Sequence, residues 1–112
     1  MMKVNEYQEL AMRTLNPELS RKDVLLNSVM GLCGESGEAI DVVKKWLMQG
    51  HELDKEHPAK ELGDIAWYLA EAATALDVSL EEICRANIEK LKKRYPEGFA
   101  AERSRVRPEG EL

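Results

Sequence analysis

Residues 20–50 run from Ser20 through RKDVLLNSVMGLCGESGEAIDVVKKWLMQ, Arg21 to Gln49, to Gly50. Leu26, Val29, Cys33, Ile40, Val43 and Leu47 recur at steps of three, four and seven, which lays them along one face of a helix. Ser20 is suited to accept a backbone N–H at the N-cap, and Gly50 supplies the left-handed residue that stops a helix. The stretch therefore predicts one helix of about eight turns. A run that long without a β-branched alternating segment makes the fold class all-α. Tyr7, Leu10, Ala11, Thr14 and Leu15 predict an earlier helix over 5–16, capped at Asn5 and ended by Pro17. Beyond Gly50 lies a polar loop, 50–57, and Pro58 fits the first turn of a third helix reaching about Leu76. Ser79-Leu80-Glu81-Glu82 is a capping box that opens a fourth helix, closed before Pro96.

Short connections between long helices predict an antiparallel bundle of four main helices. Its 112 residues make one domain, expected over 1–99, with 100–112 as a flexible C-terminal tail. Between Ile65 and Leu76 only Glu71 and Thr74 are plainly polar, so the third helix is expected to be covered on several sides. One copy of so short a chain has too little surface to do that, which predicts a homodimer or a dimer of dimers (a homotetramer). Hydrophobic residues at 44% against 33% charged exclude disorder, and no apolar run reaches the length of a membrane span. The net charge of −5 argues against a nucleic-acid backbone as partner. The first residues, MMKVNE, lack the apolar segment of a secretory leader, and Cys33 and Cys84 lack CxxC spacing. A cytoplasmic protein with both thiols reduced in the core is expected.

Two spacings carry chemistry. Glu35 and Glu38 on the second helix, and Glu61 and Asp64 on the third, stand three residues apart, so each pair shares a helix face. Like charges at this spacing cost an isolated helix a few tenths of a kcal/mol per pair, about 0.2–0.5. On the third helix the stripe Glu61, Asp64, Tyr68, Ala72, Ala75 lies about 110° from the apolar stripe Leu62, Ile65, Leu69, Ala73, Leu76. The acids thus continue into Tyr68 and alanines rather than into Lys or Arg. Gly34, Gly37 and Gly63 flank them inside helices, where each costs about 1 kcal/mol relative to Ala, and are expected to permit close approach of a backbone or of a ligand.

Four carboxylates with few cationic partners suit a hard divalent cation, Mg²⁺ with Mn²⁺ as a substitute, whose coordination shell also accepts substrate phosphates. A solvated acidic face is the plain alternative for either pair alone. A di-iron bundle centre requires Glu-x-x-His pairs on helices, but His51 and His57 are read as loop residues.

At this point the chain resembles the MazG-like, all-α nucleoside triphosphate pyrophosphohydrolases. The blocks that carry the likeness are GLCGESGE (31–38), ELGDIAWYL (61–69) and NIEKLKKRYP (87–96), and it spans about Glu6 to Phe99. The resemblance implies that Glu35, Glu38, Glu61 and Asp64 ligate Mg²⁺. It implies hydrolysis between the α- and β-phosphates of a nucleoside triphosphate, ribo or deoxy, to the monophosphate and pyrophosphate. Gly34 stands where the family motif often has its first Glu, so Glu35 or Glu38 would position the attacking water. Asn87, Lys90 and Arg94 share one face of the fourth helix with Lys93 at its edge, which suits contact with the substrate phosphates. Offsetting the helix dipole is the alternative for those cations. Tyr68 is the candidate for sugar or base, whereas Trp46 and Trp67 are assigned to core or interface packing.

Removal of surplus or non-standard nucleotides follows as the expected purpose. Phosphoribosyl-ATP pyrophosphohydrolase, with the same bond chemistry, and a non-catalytic helical oligomerisation or regulatory module are the alternatives.

Overall fold

The structure is a computed structural model that describes residues 1–106. Its regular elements are α1 (Val4–Met12), α2 (Arg21–Gln49), α3 (Glu56–Ala75), α4 (Leu80–Arg94) and α5 (Ala101–Arg105). No strand occurs among the described residues, so the all-α expectation with four main helices holds. The chain divides into two compact units, Met1–Leu80 and the residues from Glu81 onward. No described helix is long and apolar enough to cross a membrane.

The first unit is an antiparallel arrangement of α1, α2 and α3. Along the α2–α3 seam the numbers rise on one helix as they fall on the other. The Asn27 amide meets Glu71, Gly31 lies against the Tyr68 ring, and Glu35 meets Asp64 and Glu61. Against α1, Gln8 donates to Thr74 Oγ1 (3.1 Å), and the Trp67 indole donates to the Ala11 carbonyl and to Thr14 Oγ1. The buried cluster is made of small residues, Ala11, Ala70 and Ala73 with Leu80, and Tyr7, Met12, Trp67 and Val78 cover it.

α2 has the limits read from the sequence: Ser20 Oγ accepts from Asp23 N at 3.1 Å, and Gly50 ends the helix at φ 71°. α1 ends earlier than expected, at Met12, with Lys3 rather than Asn5 at its N-cap. The reason lies in its last turn, where the Ala11 carbonyl takes the Thr14 hydroxyl, the Thr14 N–H and the Trp67 indole instead of continuing a helical ladder. α3 begins two residues before Pro58, so His57 is helical and not part of the loop. After α3 the chain turns at Asp77, whose φ of 60° is tolerated by its short polar side chain.

The apolar stripe of α2 does not face α3. Leu26, Val29, Met30, Cys33, Ile40 and Leu47 are exposed, Ile40 at 70%, while Val24, Ser28 and Gly31 turn inward. Polar and small-residue matches fix the seam, and they lie on the opposite side of the helix from the large side chains. Cys33 therefore is not a core residue, and Cys84 on α4 is exposed as well. α3 is covered on two sides, by α1 and α2, while Leu62, Leu69 and Leu76 remain exposed.

In the second unit, α4 carries Arg85–Glu81 and Lys92–Glu89 pairs along its surface. Ala101–Arg105 of the expected tail form α5, and 107–112 lie outside the described residues.

Among the described residues the most buried ionisable group is Glu71, at 0% exposure, with the Asn27 amide 3.0 Å from both of its oxygens. A buried carboxylate stripped of its donor is worth roughly 1.5–3 kcal/mol in lost hydrogen bonding. Asn27→Leu is accordingly expected to destabilise the chain by about 2 kcal/mol, read from urea unfolding. Glu71→Gln, which keeps an acceptor opposite the amide, should cost less.

Candidate metal centre

Helix geometry brings three of the four acids together, with Asp64 beside them. Glu35 and Glu38 lie a turn apart on α2, Glu61 occupies the facing turn of α3, and carboxylate oxygens of all three lie within 4.8 Å of one another. Asp64 lines the adjoining hollow of about 350 Å³ with Glu35, Trp67 and Tyr68. A second hollow, on the α3 side, is bounded by Asp54, Glu56, His57, Lys60, Glu61 and Asp64. Among the described residues no lysine or arginine forms an ion pair with any of the four acids; Glu61 has only His57, at 3.3 Å.

The electrostatics follow from this crowding. Glu35 is pushed up to about 7, chiefly by the hydrogen bond its protonated form makes to Glu61, then by burial and the charges of Glu38, Glu61 and Asp64. Glu61 is held low by that same hydrogen bond, with Glu38 and His57 adding to it and burial opposing. Tyr7, reaching in from α1, is raised by burial and by the Asp64 charge. Glu35 Oε2 and Glu61 Oε2 are buried without a hydrogen-bond donor. Oxygen-only donors, net negative and short of protons, fit a hard divalent cation.

The sign of the pH effect is fixed for Glu35. Its folded value lies above its unfolded one, so its contribution is most favourable below the unfolded value near 4.5 and is lost as pH rises through about 7. Glu61 acts oppositely, its contribution being lost as pH falls through its lowered value. Without divalent cations the melting temperature should fall between about pH 5 and 8, and Glu35→Gln should flatten that slope. A slope unchanged in Glu35→Gln would contradict the assignment.

No neighbouring backbone approaches the glycines that flank the acids. A Cβ at Gly34, Gly37 or Gly63 would meet nothing within 4 Å, so none of them serves backbone contact within the chain. Gly31 does: a Cβ there would collide with the Tyr68 ring at Cδ1, Cε1 and Cζ. The Tyr68 ring in turn stands edge-on to Trp67, with centroids 5.2 Å apart. Trp67 packs in the core as expected and also walls the hollow, while Trp46 is exposed on α2. Sequence reasoning missed Gly31 and His57. A glycine in mid-helix was the signal for the first, and the i, i+4 spacing to Glu61 for the second. Asn87, Lys90 and Lys93 are exposed on α4, and the Arg94 guanidinium lies 5.8 Å from the Tyr95 ring centre.

Comparison with known families matches residues 25–99 to the MazG nucleotide pyrophosphohydrolase domain. The chain belongs to the MazG family. This MazG chain is also 38% identical over 73 residues to the "Gene 37 protein" of Mycobacterium phage L5, an alignment covering 62% of this chain and 64% of that relative. The chain thus spans less than two thirds of the relative's length. No solved structure matches it. The matched span contains both acidic pairs, Tyr68 and the α4 cations.

Proposed function

We propose that this MazG chain is a Mg²⁺-dependent pyrophosphohydrolase that cleaves (deoxy)nucleoside triphosphates between the α- and β-phosphates and clears surplus or non-standard nucleotides. The carrying observation is the meeting of Glu35, Glu38 and Glu61 within 4.8 Å, with donorless buried oxygens on two of them. Glu35, Glu38, Glu61 and Asp64 would hold the cation, with Mn²⁺ able to replace Mg²⁺. When bound, it supplies neutralisation of phosphate charge and acidification of water.

The chain's own groups do the rest. Glu35 or Glu38 orients the attacking water. Tyr68, fixed over Gly31 and beside Trp67, offers an aromatic edge to sugar or base. Contacts to the departing phosphates are proposed for Asn87, Lys90, Lys93 and Arg94 on the chemistry and shared helix face of those residues alone.

Leu26, Val29, Ile40 and Leu47 on α2 and Leu62, Leu69 and Leu76 on α3 are exposed, and we assign these faces to a second copy of the chain, as homodimer or homotetramer. Light scattering at micromolar concentration should give at least twice the 12.7 kDa monomer mass.

The activity test presents Mg²⁺ and each ribo- and deoxyribonucleoside triphosphate in turn, with phosphoribosyl-ATP as a further substrate. Pyrophosphate release from at least one triphosphate is the expected result. Orthophosphate alone excludes α–β cleavage, and product from phosphoribosyl-ATP only would transfer the activity to that substrate. No product from any of them leaves a silent helical module.

A further inference from the structure

Because α3 starts at Glu56, His57 stands one helical turn before Glu61 and on the same face. Its Nε2 lies 3.3 Å from Glu61 Oε1; the imidazole is 56% exposed, the Glu61 side chain 12%. With the neighbouring carboxyls ionised, Glu61 Oε2 is buried and receives no hydrogen bond. The torsion that turns a glutamate's carboxylate plane is broad and shallow, so the side chain alone does not decide how its two oxygens are presented. A donor fixed on one oxygen does decide it. The acid in question is the α3 member of the cluster that closes to within 4.8 Å of Glu35 and Glu38.

We propose that His57 is a positioning residue: its Nε2–H holds Glu61 Oε1 and so leaves Oε2 oriented to take the divalent cation. The inference rests on the cation-binding reading of the acidic cluster and adds to it a residue outside both acidic pairs. A neutral imidazole suffices, with the proton on Nε2 and Nδ1 left as the acceptor. Such outer donors set ligand orientation in metal sites, and losing one typically weakens metal affinity about 10–100-fold. An ordinary i, i+4 surface pair, the competing account, would affect helix stability slightly and cation affinity not at all.

Mn²⁺ titrated into the full chain at one fixed pH of about 8 separates the two, followed by calorimetry or by electron paramagnetic resonance of free Mn²⁺. His57→Ala should raise the Mn²⁺ dissociation constant about 10-fold or more. His57→Gln keeps an N–H donor at comparable reach and should stay within about 3-fold of the unmodified chain. Cation-free melting temperatures of both should match the unmodified chain. His57→Ala binding Mn²⁺ as tightly as the unmodified chain overturns the proposal, and so does His57→Gln binding as weakly as His57→Ala. An unmodified chain that binds no Mn²⁺ overturns the cation reading itself, and the positioning role falls with it.

Discussion

Glu38→Gln is expected to lower pyrophosphate release from the best triphosphate by about 100-fold or more, the upper end of what even an outer metal contact is worth. The amide keeps the volume of the carboxylate but loses its charge and one acceptor oxygen. Glu38 is exposed and its oxygen lies within 4.8 Å of those of Glu35 and Glu61. Removing a like charge from that group relieves repulsion, so the cation-free protein should melt no lower than the parent. Loss of activity with an unchanged melt therefore separates a ligand from a folding contact. A Glu38→Gln enzyme with full turnover would remove Glu38 from the cation site.

The second large effect concerns folding. Gly31→Ala should destabilise the chain by about 2 kcal/mol, the usual cost of overpacking a close contact, which for a domain of this size lowers the melting temperature by about 10 °C. Helix propensity alone predicts the opposite, since alanine in a helix interior is favoured over glycine by roughly 0.5–1 kcal/mol. The difference is the Tyr68 ring, which occupies the place the new methyl group would take. Two neighbours sharing one space are not additive. Tyr68→Ala should therefore cost less in the Gly31→Ala background than in the parent. Gly31→Ala melting at or above the parent temperature would show that the ring moves aside freely.

These two positions also mark what could and could not be read beforehand. The acidic pairs are local patterns, three residues apart, and so are legible before the register that brings α2 and α3 together is known. The limits of α2 were legible for the same reason, because Ser20 and Gly50 act within a turn of themselves. The inward face of α2 was not legible. Hydrophobicity favours the stripe of Leu26, Val29, Cys33 and Ile40, whereas the seam is made by Asn27, Ser28, Gly31 and Glu35. Their value lies in a match to Glu71, Tyr68 and Glu61 some 26–44 residues away, which no periodicity reports. Gly34, Gly37 and Gly63 drew notice by standing beside acids, although only Gly31 touches a partner helix. His57 was concealed by Pro58, which suggested a helix start two residues too late.

The α2–α3 seam has a consequence for how the acids could ever meet. Each rung joins unlike partners: an amide with a carboxylate, a bare α-carbon with a phenol, one acid with another. A slip of one turn, about 5.4 Å, would set Tyr68 against Asn27 or Glu35, where no glycine makes room, and would part Glu71 from its amide. The hairpin is a key cut to a single depth. Whatever selects the acidic cluster selects that alignment with it, and a substitution at Asn27 or Gly31, neither of them an acid of the cluster, can silence the chemistry by letting the key seat wrongly.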